Sequence, residues 1–151
     1  MKIINLILLG FFCVLALMNC SKENNSNESF DVIVDIRILD KDSCDLLNPN
    51  NMNSYKGIAL YKDSGLKERR FDSDLVPYQS ENYGDTLYYL SFAAPMDTLN
   101  NGKYCATSYL KLNETTVDTI YTEITDEVNW HHLTKVVYNG KKVGRLITVI
   151  K

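Results

Sequence analysis

Residues 30–39 read Phe-Asp-Val-Ile-Val-Asp-Ile-Arg-Ile-Leu. Phe30, Val32, Val34, Ile36 and Ile38 fall on one side of an extended chain, with Asp31, Asp35 and Arg37 on the other. A period of two describes a half-buried strand; a helix would repeat its apolar residues every three or four. Residues 55–61, 66–71, 86–93, 104–112, 115–124, 133–138 and 141–150 also read as strands, separated by turn clusters at about ten-residue spacing. In 86–93, Leu87 and Tyr89 alternate with Tyr88, Leu90 and Phe92, which predicts cover on both faces. Lys62-Asp63-Ser64-Gly65 and Asn139-Gly140 read as hairpin turns. The second is the stronger signal, because a type I′ turn needs positive φ at both central residues. Residues 72–85, with Pro77, form a longer irregular connection, and 94–103 a turn region. No segment repeats at 3.6 residues. Seven or eight such strands predict an all-β domain: an antiparallel β-sandwich, immunoglobulin-like or related.

Ahead of this domain stands a stretch of different character. Lys2 is followed by residues 6–18, apolar apart from Gly10, and the chain turns polar after Cys20. The apolar run has the length of a secretory h-region and falls short of the roughly 20 residues that span a bilayer. Ala16-Leu17-Met18-Asn19-Cys20 resembles a bacterial lipobox, with Leu three residues before Cys; Met18 and Asn19 stand where that pattern prefers small residues. The resemblance implies that residues 1–19 are a lipoprotein signal peptide and that Cys20, diacylglycerol-modified, becomes the new N-terminus. Two or more acyl chains hold a protein stably to a membrane, since each buried methylene adds about 0.8 kcal/mol. Residues 20–29, rich in Asn, Ser, Glu and Lys, read as a flexible tether, and 30–151 as one domain.

The net charge of −3 becomes −4 when Lys2 leaves with the signal. That balance, with Lys and Arg scattered, gives no reason to expect nucleic acid. Cys13 also leaves, which sets Cys44 and Cys105 as an even pair in an exported protein. A disulfide is the natural reading, closing a loop of about sixty residues and stabilising by about 4 kcal/mol in the chain-entropy model. Two buried free thiols packing as small hydrophobes are the alternative.

Nothing in the sequence assembles catalytic machinery. His131-His132, beside Trp130 and near Asp126 and Glu127, are adjacent in a strand, so their side chains point to opposite faces. No spacing supplies the three or four converging ligands that zinc requires. Asp40, Asp42 and Asp45 lack the glycine and terminal glutamate of a calcium loop, and acidic residues favour turns in any case. Asp31 and Asp35 share a polar strand face. There is no Gly-x-Ser-x-Gly elbow and no separate histidine to serve a nucleophile. The sequence therefore predicts no enzyme, no metal and no cofactor. Ten tyrosines, at 55, 61, 78, 83, 88, 89, 104, 109, 121 and 138, cannot all be interior. Exposed tyrosine, with Trp130, suits carbohydrate stacking or protein contact.

Asp40 to Pro49, Ile58-Ala59-Leu60-Tyr61, Tyr109 to Glu114 leading to Asp118-Thr119-Ile120, and Val137 to Val143 form a layout that resembles the small lipoproteins of Bacteroidetes. The resemblance implies a compact β-sandwich in the cell envelope, lipid-anchored at the outer membrane, with no settled activity to carry over. Asp85-Thr86-Leu87, Asp97-Thr98-Leu99 and Asp118-Thr119-Ile120 resemble that group's O-glycosylation sequon, which implies acceptors at Thr86, Thr98 and Thr119. The expectation is a non-enzymatic binding or structural module with a membrane partner and a protein or glycan partner. The alternative is an inhibitor or immunity-type lipoprotein that blocks a protein through a loop such as 72–85.

Overall fold

A computed structural model describes residues 29–80, 84, 86–127 and 130–151. The expected signal peptide, Cys20 and most of the expected tether lie outside these residues. The described residues are all-β, with no helix and eleven strands: β1 Ser29–Asp31, β2 Ile33–Leu39, β3 Ala59–Tyr61, β4 Tyr78–Gln79, β5 Tyr88–Ala93, β6 Thr98–Asn100, β7 Lys103–Lys111, β8 Val117–Glu127, β9 Trp130–Tyr138, β10 Lys141–Val143 and β11 Leu146–Ile150.

They form two sheets. The larger runs β1-β9-β8-β7-β3, with β10 also on β9 and β6 also on β7; the smaller runs β11-β2-β5-β4. One hydrophobic cluster joins them. Val34, Ile36, Ile38, Leu90, Phe92, Ile147 and Val149 come from the smaller sheet, and Leu60, Leu110, Ile120, Ile124, Leu133 and Val136 from the larger. The β2 residues follow the predicted alternation along their strand, so the period of two decides which of its side chains leave water.

Two strands of the sequence reading are broken, for one reason. Residues 30–39 do not run as a single strand: β1 pairs in parallel with β9, whereas β2 pairs with β5 and β11 in the other sheet. The chain crosses at Val32, which is buried, while Phe30 falls outside the core at 55% exposure. Residues 141–150 divide likewise. β10 pairs with β9, and after Gly144-Arg145 β11 pairs with β2. Since β8 takes one edge of β9, β1 and β10 share the other. One flank of the molecule is thus closed by two neighbouring segments that each pass from one sheet to the other. An Asp31–Arg145 ion pair and a hydrogen bond from the Asp35 amide to the Arg145 carbonyl (3.0 Å) tie the crossings together.

Other differences are local. Residues 66–71 are not a strand: they meet β3 through a single bridge, Tyr61 to Arg69, and Leu66 has positive φ. The turn region 94–103 holds a hairpin of its own, in which β6 returns into β7 through Asn101-Gly102, both at positive φ. Asn139-Gly140 adopts the positive φ pair its sequence predicts. Leu133 and Val136 are both buried although three residues apart, which a regular strand forbids. A bulge between Glu123 and Ile124 on the β8–β9 ladder absorbs the extra residue.

The two ends of the core are tied by a polar cluster. Asp118 lies in phase with Ile120 and Ile124 on the inward side of β8, at 3% exposure. Its carboxylate accepts from Tyr138 Oη (2.5 Å), Asn139 Nδ2 (2.8 Å) and Lys151 Nζ (2.7 Å). Lys151 follows β11, and its amide donates to the Leu39 carbonyl, so this carboxylate joins the larger sheet to the smaller. Burial alone would raise the Asp118 pKa. The three donors outweigh it and hold the group below the usual carboxylate range.

Candidate binding face

The outward side of the larger sheet is where the tyrosines converge. Antiparallel partners share a face, so register alone builds it. Tyr61 stands opposite Tyr109, and Tyr109 opposite Thr119; Thr107 stands opposite Tyr121, and Tyr121 opposite Val137; Cys105 stands opposite Glu123, and Glu123 opposite Lys135. Tyr61, Tyr109 and Tyr121 are half-buried on this face, whereas Tyr89 and Tyr138 are interior and Tyr55, Tyr88 and Tyr104 pack against the core. Arg69 lies 5.9 Å from the Tyr61 ring centre and Lys135 lies 5.2 Å from that of Tyr121, within cation–π range.

A groove of about 340 Å³ opens on this face, lined by Lys62, Asp97, Thr98, Cys105, Thr107 and Tyr121 among others. That is the lower end of ordinary ligand pockets, about 300–1,000 Å³. Its charges are compensated internally. Arg70, with its side chain at 3% exposure, grips Asp97 through two nitrogens (2.8 and 2.6 Å) and also donates to the Thr107 carbonyl (2.5 Å). The guanidinium holds the Asp97 carboxyl below its ordinary range, against the opposing effect of partial burial. Lys62 pairs with Glu68. Glu123 accepts from Lys135 (2.7 Å) and from the Tyr121 hydroxyl (3.0 Å), and the Lys135 ammonium is the main cause of its lowered pKa. Tyr121 is pushed upward, first by its hydrogen bond with Cys105, then by burial and by Glu123. A groove whose charges already cancel favours a ligand recognised by hydroxyl and amide groups over one recognised by net charge.

The expected Cys44–Cys105 bridge is not formed: both residues are free cysteines. Cys44 lies in the turn after β2; Cys105 lies in β7 of the larger sheet, facing Glu123 and Thr98. Each has its own setting. The Cys44 amide is bonded to Asp40 Oδ1 (2.8 Å), and that carboxylate is the main cause of a thiol pKa above the ordinary value. A raised pKa leaves less thiolate near neutrality, so Cys44 should alkylate slowly despite its exposure. Asp40→Asn keeps the turn-forming side chain and removes the charge; it should speed carboxymethylation of Cys44 several-fold at pH 7.5. Peptide mapping without prior reduction reads both that rate and the free state of the two thiols.

The remaining candidates disperse. Asp40 Oδ1 accepts the amides of Asp42 and Cys44, while Asp45 accepts those of Leu47 and Tyr88, so these carboxylates serve the backbone. Among the described residues no three His, Cys, Asp or Glu side chains converge as metal ligands. His131 stacks on Phe30 and lies 3.2 Å from Asp126 without hydrogen-bond alignment, and His132 packs on Trp130. Thr86 and Thr98 are exposed, Thr98 on the rim of the groove; Thr119 is half-buried inside β8, its amide and carbonyl both bonded to Asn139.

Sequence reasoning missed Asp118, Arg70 and the Glu123–Tyr121–Lys135 cluster. Asp118 had a legible signal, a carboxylate in phase with buried Ile120 and Ile124. Arg70 had none, because its partners Asp97 and Thr107 come from distant segments. No protein-family model, curated protein or solved structure matches the chain.

Proposed function

We propose that the protein is a lipid-anchored lipoprotein of the cell envelope, held at the outer membrane through Cys20, whose domain is a β-sandwich of broadly immunoglobulin-like type serving as a non-enzymatic binding module. The sandwich reading is supported by two sheets that share one core and by the strands that close their flank. The observation that carries the binding reading is the outward face of the larger sheet. Three tyrosines and a neutralised groove are displayed on a rigid ladder, and aromatic rings offer contact area at small entropic cost. A protein or glycan surface fits that chemistry. Thr98 and Thr86 are the acceptors to which modification has access.

The inhibitor reading has one observation of its own. The connection after β3 exposes Phe71, Val76 (78%) and Tyr78, next to a cleft of about 230 Å³ lined by Leu47, Tyr55, Ile58, Leu75 and Pro77. An apolar loop of this kind is a protein anchor.

The experiment compares intact mass and membrane fractionation of natively expressed protein with those of Cys20→Ala. An acylated chain beginning at Cys20, and a mutant that is released or unprocessed, is the expected result; a soluble wild type without acyl mass removes the anchor reading. Glycan-array and membrane pull-down binding should fall with Tyr109→Ala and persist with Val76→Ser. The reverse pattern moves the site to the loop.

A further inference from the structure

The chain enters the domain beside the most exposed aromatic residues of the larger sheet. Ser29, the first described residue, pairs with Trp130; Phe30 pairs with His131 and Asp31 with His132. Phe30 is 55% exposed, Trp130 45%, and Ile33, three residues after Phe30, 44%. Neither ring hangs loose. Phe30 stacks on His131 with centroids 4.7 Å apart and planes 16° from parallel, and Trp130 lies 4.7 Å from His132. Rings held this way lose little further freedom when they are covered.

We infer that this end of the domain rests on the lipid surface, with Phe30 and Trp130 seated among the headgroups. The inference rests on the proposed Cys20 anchor. Ser29 is the ninth residue after Cys20, a span of at most about 32 Å even if fully extended. A domain of this size is itself about 35 Å across, so the tether joins the domain at its β1 end and is no longer than the domain is wide, which favours that end as the one that meets the bilayer. Aromatic side chains with one apolar and one polar edge partition to the headgroup region. The contact is not electrostatic. Asp31 is paired with Arg145, Asp126 lies against His131, Glu127 is exposed, and among the described residues no cationic cluster stands at this end. The surface chosen is therefore a zwitterionic one. Both halves of the arrangement follow from one strand: β1 places the tether and Phe30 on the edge of β9, where Trp130 begins.

Trp130 is the sole tryptophan of the chain, so its emission reports this end alone. The full-length protein, expressed in lipidated form, is floated with phosphatidylcholine vesicles whose acyl chains carry bromine near the headgroup. Emission about twofold lower than in unbrominated vesicles is expected for a ring at the interface. Phe30→Ser, at an exposed position, should weaken the quenching, and anionic lipid should leave it unchanged. Equal emission in both kinds of vesicle, from protein that floats and carries the acyl mass, overturns the inference and leaves the anchor standing. Protein that lacks the acyl mass and stays out of the vesicle fraction removes the anchor and the inference together.

Discussion

Asp118→Ala should lower the free energy of unfolding by about 2–4 kcal/mol, the range for breaking a buried charged cluster on one side. The side chain is 5% exposed, and its loss leaves the buried Tyr138 hydroxyl and the Asn139 amide without their acceptor. Lys151, at 24% exposure, can turn to water, so Lys151→Ala should cost less, about 1 kcal/mol. Urea unfolding at pH 7 reads both. The pH dependence carries a sign that can be checked. A carboxylate whose folded pKa lies below its unfolded value stabilises at pH above the unfolded value, and the contribution is lost as pH falls through the folded pKa. Asp118 is such a group. The wild type should therefore lose stability below about pH 4, the ordinary carboxylate range. Asp118→Asn should be less stable at pH 7 and show a flatter acid limb. An unchanged acid limb in that variant would place the acid sensitivity elsewhere.

Leu110→Ala in β7 and Ile36→Ala in β2 should each cost about 2–5 kcal/mol, the usual range for truncating a fully buried aliphatic side chain. Both residues have no exposed surface, and they belong to opposite sheets of one apolar cluster. A domain of this size is stable by only about 5–15 kcal/mol in total, so either change removes a large fraction. Because the cluster is shared, both variants should shift one and the same cooperative transition, followed by Trp130 fluorescence for the larger sheet and by circular dichroism for the whole. Two separated transitions in either variant would sink the sandwich reading. Leu99→Ala, on exposed β6, is the control and should change stability by less than about 0.5 kcal/mol.

The alternation in residues 30–39 identified the buried face of β2, because the side-chain period of a strand is a local property; residues 104–112 and 115–124 were legible as strands, without a face assigned. Asn139-Gly140 placed its hairpin for the same kind of reason: the φ preference belongs to the two residues themselves. The candidate face was legible only in outline. Ten tyrosines implied that some are exposed, and register then selected Tyr61, Tyr109 and Tyr121. Pairing partners are chosen by the whole molecule, and where they change, local pattern misleads. Phe30 continues the apolar rhythm of its neighbours and yet lies outside the core, because its strand changes sheets at Val32. The even number of cysteines suggested a bridge, but spacing along a chain carries no information on whether two segments meet. Arg70, Asp97 and Thr107 meet although no pattern links them.

From the sequence alone came the all-β class, the inward side of β2 and turns such as Asn139-Gly140, all consequences of backbone sterics and of apolar residues leaving water. Only the tertiary structure decided which edges pair, that the chain crosses between sheets at Val32 and at Gly144-Arg145, and that Asp118 would be held by Lys151 from the opposite sheet. Those outcomes depend on closing long loops, and the chain settles them by the core it can build.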